Sequence, residues 1–286
     1  MRINNLLTKL YKEGKVELKV NSIEHRSLGE ISKDITTLSH ISRLYFFFES
    51  SFRNIAKKYR AESLMPSTLI HKDILQKADY FISFPDIALL LDKQWSLNPA
   101  LCYHVYDLYG EEQIDRCQYV SLMGQCFRQE KTYTFLQRMK NFSMFEIVAL
   151  GKYEEVETFR RSLLVDVCMF AEKLHLHGQL ERAYDPFFVN QENRGKMLLQ
   201  KLFPLKFELK IKTNNENYLA VASFNHHQDF FGKRFNISLR NETKAHSACV
   251  AFGIERWVYA FLSHFGLEEK TWPDFVNLPY ESEVPQ

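Results

Sequence analysis

Three observations predict an α+β fold. Four strand-like segments follow one another in the second half of the chain: Phe207–Lys212, Tyr218–Phe224, Arg234–Leu239 and Ser247–Phe252. Only a few helical patterns accompany them, so strands and helices do not alternate as a doubly wound sheet requires. The glycine signatures of the common α/β enzymes are also missing: there is no Gly-x-x-x-x-Gly-Lys, no Gly-x-Gly-x-x-Gly and no Gly-x-Ser-x-Gly.

Each remaining element follows from spacing. Residues 1–40 are polar and weakly periodic, and form an N-terminal arm; residues 41–286 form the main domain. Ile41–Ser63 repeats apolar residues three and four apart (Leu44, Phe47, Phe48, Phe52, Ile55, Ala56), which predicts a helix. Pro66 breaks it, and Leu69–Ala78 reads as a second, shorter helix. Asn98-Pro-Ala-Leu-Cys-Tyr103 reads as a turn entering a strand. Gln118–Gln125 and Phe142–Leu150 pair as an antiparallel hairpin whose tip, Gln129–Asn141, is long, polar and basic; ordered loops of that length often bind something. Tyr153–Leu174 has the clearest apolar stripe, from Val156 through Phe159, Leu163 and Val167 to Ala171. A last helix runs from Gly253 to Phe265.

Composition narrows the function. With 286 residues, 45% hydrophobic and 25% charged, the chain suits one large globular domain or two modest ones. Twenty-four phenylalanines against ten glycines argue against long flexible linkers. A net charge of +2 lacks the basic surplus of a nucleic-acid protein. No apolar run approaches the ~18 residues of a membrane span, and Met1–Leu10 lacks the apolar centre of a secretory leader. Five cysteines with no C-x-x-C pair fit reduced thiols. A cytoplasmic location is therefore expected.

Chemistry concentrates in Ala245–Trp257, a strand running into a helix. Alternation puts Ser247, Cys249 and Ala251 on one small, polar face, and Arg256 falls in the first helical turn. A thiol and a guanidinium at such a junction suit a metal and a phosphate. A second group is Cys126-Phe-Arg-Gln-Glu130, where Arg128 can fork onto a phosphate and Glu130 can accept from an amino group. A metal set of Cys126, Glu172 and Cys249 would leave a fourth position open, with His226, His227 and His246 as competing ligands. Ser223 and Asn225 share a strand face and suit a small polar ligand. Taken singly, these residues also fit a core cysteine, a surface ion pair and a capped turn.

In their order along the chain, these motifs resemble a family. Cys126-Phe-Arg-Gln-Glu130, Met144-Phe-Glu-Ile-Val148 and Phe252-Gly-Ile-Glu-Arg-Trp257 look like motifs 2 and 3 of class II aminoacyl-tRNA synthetases. The fuller pattern is similar to an offshoot, the amino acid:[carrier protein] ligases, which are related to the catalytic core of atypical seryl-tRNA synthetases. The supporting segments are Phe81–Pro85, Asn98–Cys102, Asp185–Phe188, Leu205–Leu209, Ser223–Asn225 and His246–Cys249. The resemblance spans Met65 to Phe265. Phe145 stands where the family usually has arginine, and Lys131-Thr132 where it often has Pro-Ser.

The resemblance implies a six-stranded antiparallel sheet flanked by helices, in a homodimer built through the early part of the domain. It implies that Arg128 and Arg256 hold the triphosphate of ATP with Mg²⁺, and that Glu130 lies at the adenine. It selects Cys126, Glu172 and Cys249 as ligands of Zn²⁺, whose open position takes the substrate's amino group. Glu146, Ser223 and Asn225 are expected in the amino-acid pocket. The implied reaction is adenylation of a small amino acid, glycine or alanine, and transfer to the phosphopantetheine thiol of a holo carrier protein. No tRNA partner is expected, because the N-terminal arm and the tail after Phe265 are short. The rival readings are a synthetase charging tRNA and a regulatory paralogue without turnover.

Overall fold

The computed structural model describes residues 2–20, 31, 35–184, 204–213, 217–241 and 243–276. The segment 185–188 invoked above lies outside them.

Two neighbouring strands with strictly alternating side chains form the centre of the fold. β7 (Asn141–Gly151) and β12 (His246–Gly253) run antiparallel, with Cys249 opposite Val148 and Ala251 opposite Glu146. Outward from β7 lie β6 (Gln118–Phe127) and the edge strand β2 (Glu62–Leu64). On the other side, β12 is followed by β10 (Tyr218–Gln228), β9 (Lys206–Lys212), β8 (Gly178–Arg182) and β1 (Lys15–Glu17). The six strands from β8 to β6 pair antiparallel, as expected. β1 extends them antiparallel at one end and β2 parallel at the other, so the sheet has eight strands.

Each face of this sheet has its own core. Ala248, Val250 and Phe252 of β12 point into a core shared with three helices: α2 (Ile35–Lys58), α6 (Tyr153–Lys173) and α8 (Ile254–Phe265). The phenylalanines collect here. Phe52 stacks on Phe252 at 4.3 Å between ring centroids, and Phe48, Phe145, Phe170 and Trp257 surround the pair. Such aromatic contacts add to the area term of burial. Cys249 points to the opposite face, into a second core with α3 (Lys72–Lys77), α5 (Cys102–Leu108) and α7 (Phe230–Arg234). Beside them α4 (Tyr80–Ser83) follows α3.

Several segments differ from expectation, for identifiable reasons. Leu69–His71 is a strand, β3, paired with β4 (Trp95–Leu97), and the helix starts only at Lys72, where His71 Nδ1 caps the Asp73 amide. Cys102–Leu108 is helix, not strand, because the distant Glu146 carboxylate accepts the Leu101 and Cys102 amides and starts it. Residues 230–234 are helical, and only Ser238–Leu239 (β11) pairs, parallel to Gln113–Ile114 (β5). Gly232 belongs there because a Cβ would come within 2.1 Å of the Ala245 carbonyl oxygen. The N-terminal residues add more than a polar arm: α1 (Arg2–Glu13) buries Leu10, β1 joins the sheet, and α2 begins at Ile35, before the expected boundary. Among the described residues no helix is long and apolar enough to cross a membrane.

Candidate active site

Above β7, β12 and β10, on the Cys249 face, lies a cavity of about 590 Å³, within the usual range for small-molecule sites. Arg128, Glu130, Glu146, Ser223, Asn225, Cys249 and Arg256 all line it. The sequence-predicted residues thus meet in one place, except Cys126 and Glu172.

The donor cluster at its floor comes from three elements. Cys249 lies on β12, Glu146 on the adjacent β7, and Cys102 opens α5. One ligand atom from each lies within 4.8 Å of the other two, and all three residues are buried. Burying two thiols and a carboxylate together is costly without a cation. Its mark is visible on the protons. The hydrogen bond to Cys249 raises the Cys102 thiol well above the ordinary range, helped by burial and by Glu146. Burial raises Glu146 as well, although the Leu101 amide at 3.1 Å and the Cys102 amide at 2.9 Å pull the other way. Asn225 Nδ2 lies 3.7 Å from Cys249 Sγ and 3.1 Å from Ser223 Oγ, placing an amide donor beside the sulfur.

This cluster corrects the ligand set expected from sequence. Cys126 faces the same side as Cys249 but pairs with Phe142, whereas Cys249 pairs with Val148. The six-residue offset along β7 is roughly 20 Å, beyond the reach of one ion. Glu172 is on α6, behind the opposite face of the sheet, and its carboxylate accepts the Lys19 amide at 3.0 Å. The competing histidines are not part of the cluster, although His226 and His227 line the cavity: His227 Nδ1 is 3.2 Å from both the Tyr106 hydroxyl and Ser247 Oγ, and His226 and His246 pack against Tyr153. Sequence reasoning missed Cys102 and gave Glu146 a different role. The available signal was a carboxylate inside the apolar run Phe142–Leu150, since a buried charge needs partners.

Positive charge gathers at the other end of the cavity. Arg128 follows β6, donates Nε to the Pro99 carbonyl at 3.0 Å and lies over the Phe142 ring. Arg256, in the first turn of α8, donates to the Gln137 carbonyl at 2.8 Å and the Ala220 carbonyl at 3.0 Å. It thereby pins the β6–β7 loop, whose Leu136 is buried. Burial, then the neighbouring Arg128 and Arg138, lower the Arg256 pKa. Glu130 pairs with Arg138 at 2.9 Å. Phe145, the departure from the family pattern, points away from the cavity into the phenylalanine core.

No protein-family model matches the chain. It is 34% identical over 186 residues to amino acid--[acyl-carrier-protein] ligase 1 of Bradyrhizobium diazoefficiens, covering 62% of this chain and 55% of that protein. Ligase 2 of the same organism is 32% identical over 180 residues, covering 62% and 53%. A type-2 serine--tRNA ligase of Methanopyrus kandleri is 27% identical over 201 residues, covering 65% and 37%. The chain thus spans about half the length of the carrier-protein ligases it matches. Among solved structures, M. kandleri SerRS in complex with A. aeolicus tRNASec superposes with a TM-score of 0.78 at 20% identity, over 91% of this chain and 61% of that one. Seryl-tRNA synthetase from Pyrococcus horikoshii complexed with ATP gives 0.68 at 14% identity, over 83% and 55%. These likenesses establish the fold.

Proposed function

We propose, for a chain that is a sequence relative of the amino acid--[acyl-carrier-protein] ligases and folds as a class II aminoacyl-tRNA synthetase, that it activates a small amino acid with ATP and passes it to a carrier protein. Glycine or alanine is the substrate, and the phosphopantetheine thiol of a holo carrier protein is the acceptor. The observation that carries this reading is one cavity with the Cys102–Glu146–Cys249 cluster at one end and Arg128 and Arg256 at the other.

The residues divide the work. Cys102, Glu146 and Cys249 fit a zinc ion in donor type and number, and leave a position for the substrate. Bound there, Zn²⁺ would supply a Lewis-acid anchor for a neutral amine. Asn225 orients the Cys249 sulfur, and Ser223 lines the same wall. Arg128 and Arg256 receive the triphosphate, accompanied by Mg²⁺, and stabilise charge developing at the α-phosphate. Glu130 accepts from the adenine amino group once it leaves Arg138. A carboxylate is already nucleophilic at neutral pH, so activation needs no general base. Holding the amine at one end of the cavity aims the carboxylate at the other, which is a proximity effect.

The test is pyrophosphate exchange with each standard amino acid, with zinc measured on the same sample, followed by labelling of a holo carrier protein or of total tRNA. Exchange with glycine or alanine, one zinc per chain and label on the carrier protein is the expected result. Label on tRNA instead would replace the acceptor. Absence of exchange with every amino acid in zinc-replete protein would sink the ligase reading.

A further inference from the structure

Two tyrosines in the cavity have hydroxyls that the protein itself does not use. Tyr80 of α4 and Tyr103 of α5 are 4% and 7% exposed, and both line the cavity. Their rings meet edge to face with centroids 5.6 Å apart. Tyr106, one helical turn on from Tyr103, has its hydroxyl against His227. Neither the Tyr80 nor the Tyr103 hydroxyl has a hydrogen-bond partner among the described residues. Tyrosine hydroxyls inside proteins normally find one, and these two open onto the cavity rather than being sealed in the core. Both rings lie on the wall of one cavity, where their hydroxyls can donate to a ligand.

Position says which part of the ligand. Tyr103 directly follows Cys102 of the donor cluster in α5, and both tyrosines line the same cavity as Arg128 at the phosphate end. If the amine sits at the first and the α-phosphate at the second, the substrate carboxylate lies between them, where the tyrosines are. We infer that Tyr80 and Tyr103 bind the carboxyl group of the amino acid, orient it for activation, and then hold the acyl carbonyl oxygen during transfer to the thiol. This rests on the activation chemistry proposed above. A phenol is an O–H donor at neutral pH, so both can donate to a carboxylate oxygen.

The two steps balance. In activation a carboxylate oxygen bonds to the α-phosphorus, and pyrophosphate leaves with the electrons of the broken P–O bond. In transfer the thiol sulfur bonds to the acyl carbon, the C–O bond to phosphate breaks, AMP takes that electron pair, and the thiol proton passes to solvent. Negative charge gathers on the carbonyl oxygen between these events, and two preorganised donors stabilise it there.

Tyr80→Phe and Tyr103→Phe keep the rings and remove only the hydroxyls. Each is expected to raise the amino-acid KM in pyrophosphate exchange about tenfold, with ATP KM, zinc content and melting temperature unchanged. Single-turnover transfer from preformed adenylate to a holo carrier protein should slow by a similar factor or more. Binding of glycyl- and alanyl-sulfamoyladenosine, followed by calorimetry, should weaken in the variants while AMP binding stays constant. Wild-type protein that exchanges normally, alongside two variants with wild-type KM, transfer rate and analogue affinity, would overturn the inference alone. Wild-type protein that neither exchanges any amino acid nor binds either analogue overturns the ligase reading and this inference together.

Discussion

Cys102→Ala, Glu146→Gln and Cys249→Ala each remove one donor from a three-donor set. Structural and catalytic zinc sites need their full ligand count, so each variant should lose its zinc and its exchange activity together. Cys126→Ala and Glu172→Gln should keep both, since neither side chain reaches the cluster. Metal analysis of the five purified variants checks this, and zinc retained in Cys102→Ala and Glu146→Gln but lost in Cys126→Ala and Glu172→Gln would restore the ligand set read from sequence. Cys249 was legible because strand alternation is local: with Ser247 and Ala251 it had to share a small, polar face. Arg256 was legible for the same reason, lying a few residues further on at a helix start. Cys102 was not, because it is 44 residues from the carboxylate that fixes it, and nothing in Asn98–Tyr103 announces that partner.

Among the elements, those whose signal is their own periodicity were legible and those held by a partner were not. The stripe of α6 is buried as its spacing demands, from Val156 to Ala171. By contrast α1 and β1 read as a polar arm, because what fixes them is distant. The Tyr11 hydroxyl donates to Glu157 at 2.6 Å and accepts from Arg160 at 2.9 Å, while Arg161 reaches the same carboxylate at 2.7 Å. Arg160 also caps the Pro204 carbonyl ahead of β9. Burial alone would raise Glu157; Arg160 first, then Tyr11 and Arg161, outweigh it and bring the carboxyl down to about 2. A carboxylate with a depressed folded pKa stabilises the fold above its unfolded value, and that contribution fades as pH falls toward the folded one. The network should therefore contribute on the order of 3 kcal/mol at neutral pH, lost between about pH 4.5 and pH 2. Glu157→Gln leaves Arg160 buried without its counter-ion and should lower the melting temperature by roughly 5–10 °C at neutral pH. It should also flatten the decline of melting temperature over the acid range. Identical acid limbs in wild type and variant would refute this assignment.

The whole molecule ends on one side in an unfinished sheet. Among the described residues β2 pairs only with β6 and closes the strand order, leaving its outer edge unpaired. Beside it runs α2, tied to β2 by a hydrogen bond from Arg53 to Ser63. Met65, just after β2, is 96% exposed, and along α2 Phe46 is 57% and Leu38 38% exposed. An open edge flanked by large apolar side chains invites pairing with another chain, and the same early part of the domain is where the family resemblance puts a dimer. We expect a homodimer joined along α2 and β2. Phe46→Glu puts a charge into that contact while leaving the cavity and the phenylalanine core untouched, because Phe46 faces away from both. Sedimentation equilibrium at micromolar concentration should give twice the chain mass for the wild type and a shift toward the monomer for the variant, with zinc content equal in the two. A wild type that sediments as a monomer throughout would mean that this edge is covered in some other way, and the dimer would fall while the chemistry argued for a single chain's cavity would stand.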